Sequence, residues 1–175
     1  NSTDSGSVYA FQKIGSAWVE VQKLTASDGA AYDYFGGWVS TTPEDEIGVR
    51  GIALDGNILV VGSWGDDDNG SASGSVYVFR YNGSTWIEED KLTMSNGAAS
   101  DYFGRSVSVS GDVIAVSALY DDDNGSNSGS VVVYRHDGSA WVEETKLTSS
   151  DGVANDNFGQ SLAIDGNRIV VGTPY

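Results

Sequence analysis

The sequence predicts an all-β fold built from small antiparallel sheets of four strands, and three observations carry that prediction. One segment is written three times, as Ser5-Gly6-Ser7-Val8-Tyr9-Ala10-Phe11, Ser73-Gly74-Ser75-Val76-Tyr77-Val78-Phe79 and Ser128-Gly129-Ser130-Val131-Val132-Val133-Tyr134. Each copy is followed, in the same order, by a tryptophan (Trp18, Trp86, Trp141), Lys-Leu-Thr, Asp or Asn with Gly-Ala/Val-Ala, and Phe-Gly. The composition suits strands and turns: Val, Tyr, Trp and Ile supply much of the apolar content, and 23 glycines stand against two prolines. The step from Ser73 to Ser128 is 55 residues, and from Ser5 to Ser73 it is 68 because 13 extra residues lie between Gly36 and Arg50. Self-similarity at such a period belongs to architectures in which each unit buries its core against its neighbours.

The elements read in order from the middle copy. Val107-Ser108-Val109 alternates apolar and polar and stops at the turn Ser110-Gly111-Asp112. Val113-Ile114-Ala115-Val116 then reads as a buried strand, and Asp55-Gly56-Asn57 and Asp165-Gly166-Asn167 are the parallel turns. A polar loop, Asp121 to Asn127, leads to a third strand, Val131 to Tyr134. The hairpin turn at Asp137-Gly138, like Asn82-Gly83, uses residues that tolerate positive φ. Trp141 to Leu147 is the fourth strand, and four short strands joined as a meander make one propeller blade.

The residues of each strand fit that layout. The first two strands are small and apolar, as a crowded central axis requires. The fourth is charged, as an outer edge must be to resist edge-to-edge association, so Glu88, Glu89, Lys91, Glu143, Glu144 and Lys146 are expected to be solvated. The tryptophans are expected to cap packing between blades. His136, beside a hairpin turn, is expected to be exposed.

This phasing divides the chain into a half-blade at 1–34, a full blade at 35–102 with an insertion at 37–49, a full blade at 103–157 and a half-blade at 158–175. Two whole and two half blades are too few to close a ring. The expectation is part of a larger or oligomeric propeller, completed by further blades from the same longer chain or from a second chain, as a ring or as a fibre.

A net charge of −16, from 25 acidic and 9 basic residues, disfavours nucleic acid and anionic membranes and favours cations. The absence of cysteine excludes disulfides and thiolate metal sites. No apolar run reaches membrane-spanning length. No Gly-x-Ser-x-Gly, phosphate loop or histidine cluster is present, so the sequence is read as a non-enzyme, with a polysaccharide-degrading carboxylate pair as a distant alternative.

Phe103-Gly104-Arg105-Ser106-Val107 followed by Val116-Ser117-Ala118 resembles the FG-GAP repeat of integrin α-subunit propellers. Phe35-Gly36 and Phe158-Gly159 agree, Val171-Gly172-Thr173-Pro174 is similar to the "GAP" element, and the flanking segments look like the bacterial-type branch. The resemblance implies four-stranded propeller blades in an extracellular or cell-surface protein that binds a carbohydrate or protein ligand. Typical members carry a calcium loop between the first two strands, where this chain has only Ser110-Gly111-Asp112 or its equivalents. That site does not carry over.

Acidic loops elsewhere are candidate calcium ligands: Asp66, Asp67, Asp68 and Asn69, and Asp121, Asp122, Asp123 and Asn124 gather the oxygen donors that a hard cation requires. The alternative is a loop of Asx-turns that binds only water. A second acidic set, Asp28/Asp33, Asn96/Asp101 and Asp151/Asp156, recurs in every repeat and suits turn capping or ties between blades. The insertion breaks the repeat symmetry, and its Trp38, Glu44, Asp45 and Glu46 are candidate ligand contacts. Asn1, Asn69, Asn82 and Asn124 begin Asn-x-Ser/Thr sequons.

Overall fold

A computed structural model describes residues 3–37 and 51–174. The described residues form twelve strands and no helix: β1 Val8–Ile14, β2 Ala17–Leu24, β3 Ile52–Asp55, β4 Ile58–Ser63, β5 Ser75–Tyr81, β6 Trp86–Leu92, β7 Phe103–Ser110, β8 Val113–Ala118, β9 Ser130–His136, β10 Trp141–Leu147, β11 Ser161–Asp165 and β12 Arg168–Gly172. They pair into four antiparallel sheets, β1-β2, β3-β4-β5-β6, β7-β8-β9-β10 and β11-β12. The all-β expectation of blade-like meanders holds, with two full sheets between two half-sheets.

Burial follows the chemistry of each strand. All six residues of β4 (Ile-Leu-Val-Val-Gly-Ser) and of β8 (Val-Ile-Ala-Val-Ser-Ala) are buried, because strands covered on both faces need continuous small apolar side chains. The fourth strands β6 and β10 carry the charge. Each pair of third and fourth strands holds one bulge at the same phase: register shifts fall between Val78/Phe79, between Glu143/Thr145 and between Ala10/Phe11. A bulge adds local twist and blunts the outer edge. Glu89 and Glu144 are the unmatched bulge residues, and they pair with Arg80 and Arg135 of the adjoining strand.

The cores lie between sheets. Phe103 is fully buried among Val60, Val76, Val78, Val116 and Tyr134, and Phe35 holds the equivalent place among Val8, Leu59, Val61, Tyr77 and Phe79. The Phe-Gly pair works as a unit. Phe103 N–H donates to Ser73 O at 3.0 Å, which draws the start of one sheet onto the third-strand entry of the previous one, and Phe35 and Phe158 repeat the bond to Ser5 and Ser128. Gly104 then brings its backbone against Gly62; a Cβ on Gly62 would sit 1.8 Å from the Gly104 carbonyl oxygen. Only glycine fits there.

The tryptophans divide by position. Trp141 is buried in the core between the two full sheets and Trp86 packs partly buried against the neighbouring one, whereas Trp18, on the half-sheet β1-β2, is 69% exposed. No helix among the described residues is long and apolar enough to cross a membrane.

Candidate functional site

The loops joining β4 to β5 and β8 to β9 are the acidic segments, and their backbones are built by their own side chains. Asp66 Oδ1 accepts the Asp68 N–H at 3.2 Å, and Asp67 Oδ1 accepts the Ala72 N–H at 2.7 Å. Asp121 and Asp122 repeat both bonds with Asp123 (3.0 Å) and Asn127 (2.7 Å). Asn69 and Asn124 are turned away from the carboxylates, donating their amides to the Met94 and Ser149 carbonyls. The Asp66–Asp68 and Asp121–Asp123 bonds are Asx-turn contacts that tighten each loop from within, while the asparagine amides tie it to the segment after the fourth strand.

The remaining carboxylate oxygens converge on a lysine. Lys91 Nζ, on β6, lies 2.6 Å from Asp68 Oδ2, 2.7 Å from Asp28 Oδ2 and 3.1 Å from Asp66 Oδ2. The Tyr77 hydroxyl lies 2.6 Å from Asp28 Oδ1 and 3.0 Å from Asp66 Oδ2, its one proton shared between them. Lys146 of β10 does the same with fewer partners: Asp121 and, at 2.6 Å, Asp123, while Ser130 Oγ donates to Asp121 at 2.7 Å. Lys91 and Lys146 are therefore not solvated edge residues; their side chains are 19% and 16% exposed. Among the described residues, no group of three or more His, Cys, Asp or Glu side chains is placed to hold a metal ion.

Ionisation follows from these contacts. Burial opposes the charge on Lys91, but its hydrogen bonds to Asp28, Asp68 and Asp66 outweigh that and raise its pKa. Burial also opposes ionisation of Asp28, and the Lys91 ammonium and Tyr77 hydroxyl more than compensate, holding the carboxyl below its usual value. Asp33 and Asp101 go the other way: burial pushes both up, although each accepts a backbone N–H three residues back, from Ala30 and Ala98. Asp156 accepts the Val153 N–H in the same way, so the recurrent aspartate before each Phe-Gly is a turn cap.

Other charged residues of the fourth strands tie sheets together. Glu88 accepts both the N–H and the hydroxyl of Ser27, at 3.1 and 2.6 Å, and Glu143 accepts the same pair from Ser95 at 2.9 and 2.8 Å. His136 is half-buried rather than exposed: its ring meets the Trp141 ring edge-on at 5.1 Å, and Nε2 lies 3.5 Å from Glu89.

On the same end of the sheets as the acidic loops, aromatic rings form a continuous row that the sequence did not reveal. Tyr32 meets Tyr34 at 6.4 Å between centroids, Tyr34 stacks on Trp64 at 4.6 Å and 7°, Trp64 meets Tyr102 at 4.8 Å, and Tyr102 meets Tyr120 at 4.9 Å. The Arg105 guanidinium closes the row over the Tyr120 ring at 5.7 Å. Tyr32 is 55% exposed and the others are half-buried. The backbone is left-handed at Tyr34 (φ 56), Tyr102 (φ 54) and Asn157 (φ 54), the equivalent positions before each Phe-Gly. Asparagine tolerates that region, whereas a bulky residue costs about 1–2 kcal/mol there. Two of three repeats bear this cost, and the rings they place are the ones that build the row.

Trp38, Glu44, Asp45 and Glu46, with the rest of the insertion from residue 38 onward, lie outside the described residues. The sequon at Asn1 does too.

Comparison with known proteins finds one repeat family along the chain. The sequence profile of the FG-GAP repeat matches residues 18–47, 49–79, 86–134 and 141–175. Three of the four matches begin on the tryptophan of a fourth strand (Trp18, Trp86, Trp141), and the 86–134 match ends on the third strand of the next sheet. Comparison with the curated proteins gave no match. FG-GAP repeats are typical of extracellular or surface proteins and build propeller modules often used in binding or adhesion. With most of its length matched and its sheets arranged as partial propeller blades, the chain belongs to the FG-GAP repeat family.

Proposed function

We propose that this chain is an extracellular binding or adhesion module that recognises a protein ligand through the end of the sheets carrying the aromatic row and the acidic loops. The observation that carries this reading is the row Tyr32–Tyr34–Trp64–Tyr102–Tyr120 with Arg105 at its end. Tyr, Trp and Arg are the side chains that dominate the energetics of protein interfaces. Their mutual stacking favours a protein over a carbohydrate, because ring faces spent on one another are not offered to a sugar. The net charge of −16 selects a partner with a basic patch and makes association salt-dependent.

Calcium enters this reading as a competitor, since it reaches the oxygens of Asp28, Asp66 and Asp68 only by displacing the Lys91 ammonium.

Arrays of extracellular proteins and of glycans, probed with the wild-type chain and with Tyr32→Ala at low and high salt, test the proposal. Tyr32 is exposed and outside the cores, so its truncation is expected to lower affinity for protein hits about tenfold while leaving the melting temperature unchanged. Hits confined to glycans, or protein hits indifferent to Tyr32→Ala, would overturn it.

A further inference from the structure

The two half-sheets differ from the full ones in what their strands expose. Val170 on β12 is 70% exposed, whereas its repeat equivalents Val60 and Ala115 are fully buried. Phe11 on β1 is 55% exposed against 2% and 3% for Phe79 and Tyr134. One strand edge of β12 and one of β1 have no neighbour among the described residues, while the equivalent edges of β8 and β9 pair with each other. A half-sheet of first and second strands and a half-sheet of third and fourth strands are the two parts of one four-stranded sheet.

The side chains around these edges match as well. Tyr77 and Lys91 meet Asp28 from the preceding sheet, with Lys91 Nζ 5.2 Å from the Tyr77 ring centre. The equivalents of Tyr77 are Tyr9 and Val132, and the equivalents of Asp28 are Asn96 and Asp151. The junction between the two full sheets therefore has neither member of the pair. Tyr9 and Asp151 are the remaining two, one on each half of the molecule, and Lys23 already lies over the Tyr9 ring at 5.5 Å as Lys91 does over Tyr77. The serine–glutamate clasp shows the same bookkeeping. Ser27 meets Glu88 and Ser95 meets Glu143, which leaves Ser150 and Glu20 as the remaining two, and Glu20 is exposed where Glu88 and Glu143 are half-buried.

We propose that a second copy of this chain completes the sheet, β1 of one copy pairing antiparallel with β12 of the other. The register is dictated by β8–β9, where Ala115 opposes Val133. Translated by the repeat, Val170 opposes Ala10 of the second copy, Asp151 reaches its Tyr9 and Lys23, and Ser150 donates to its Glu20. The unpaired edges acquire partners, and the exposed Val170 and Phe11 become buried like their equivalents.

Two measurements on the 175-residue chain test this. Sedimentation is expected to find twice the 18.4 kDa chain mass or a higher multiple, shifting toward the single-chain mass in Glu20→Ala and Asp151→Ala, which alter only exposed side chains. Chains carrying Val170→Cys, mixed with chains carrying Ala10→Cys, are expected to form a mixed disulfide. Val170→Cys mixed with Gln12→Cys, two residues out of register, is expected not to. A single-chain mass at every concentration, as when another repeat of a longer protein is the natural occupant, would overturn the proposal. So would disulfide formation that ignores register.

Discussion

Phe103→Ala is expected to lower the stability of the chain by about 3–5 kcal/mol, read as a shift in the midpoint of denaturant unfolding. The ring is fully buried in the core that joins the two full sheets, and it meets the Tyr134 ring edge-on at 6.1 Å. Its loss removes contacts from both sheets at once. Inner strands whose backbones touch at Gly62 and Gly104 cannot close the gap, because those backbones already meet. Phe158→Ala is expected to cost less, since Phe158 is only half-buried. Equal losses for the two variants would mean that the cores between sheets do not carry the stability assigned to them.

Lys91→Met is expected to cost about 2–4 kcal/mol, the range for removing one member of a largely buried ion pair with some allowance for solvent. Methionine keeps the length of the stem, so the loss reports the charge. Without the ammonium, three carboxylates face one another across two loops, one of them the buried Asp66. Lys146→Met leaves two carboxylates and the Ser130 hydroxyl in place and is expected to cost less.

Linkage gives an independent check on Lys91. With its pKa raised in the folded state, the Lys91 contribution is complete below its ordinary value of 10.5 and is lost as pH rises through the folded value. Tyr77 adds to this in the same direction. Burial and the neighbouring carboxylates raise its pKa, so ionisation of the unfolded chain above 10.0 draws stability away. The melting temperature is expected to fall above about pH 10, and to fall less steeply in Lys91→Met. Millimolar calcium is expected to raise the melting temperature of Lys91→Met more than that of the wild type, if calcium and the ammonium contest the same oxygens. An equal response in both would remove calcium from these loops.

Much of the architecture was legible because it is local. Asn82-Gly83 and Asp137-Gly138 announce hairpins through their own conformational preferences, and Ile58 to Ser63 announces a strand buried on both faces through composition. The role of Lys91 was not legible from its strand. A charged fourth strand reads as a solvated edge, yet the lysine sits where that edge turns toward loops 25 and 63 residues earlier in sequence. The signal was the fixed phase of one lysine per fourth strand, Lys23, Lys91 and Lys146, against one aspartate loop per repeat. The aromatic row was hidden for a similar reason. Tyr34 and Trp64 are 30 positions apart, and only the packing of one sheet's entry against the exit of a second strand brings their rings to 4.6 Å. His136 looked exposed beside its turn because the neighbouring Glu89 and Trp141 come from other strands.

The offset between repeat and sheet has an evolutionary consequence. A unit such as 86–134 starts on β6 and ends on β9, so it never coincides with one sheet. Unequal exchange between neighbouring copies of the coding repeat adds or removes one step, 55 or 68 residues, and leaves every strand order intact, wherever the crossover falls. The serine–glutamate clasp re-forms across any such junction, because each unit carries both halves. What an exchange does scramble is the pairing of Tyr with Asp, since Val132 and Asn96 occupy those places in one junction and not in the others. Number of sheets is thus cheap for this lineage to change, while the identity of neighbours is recorded in a few residues that drift independently of the fold.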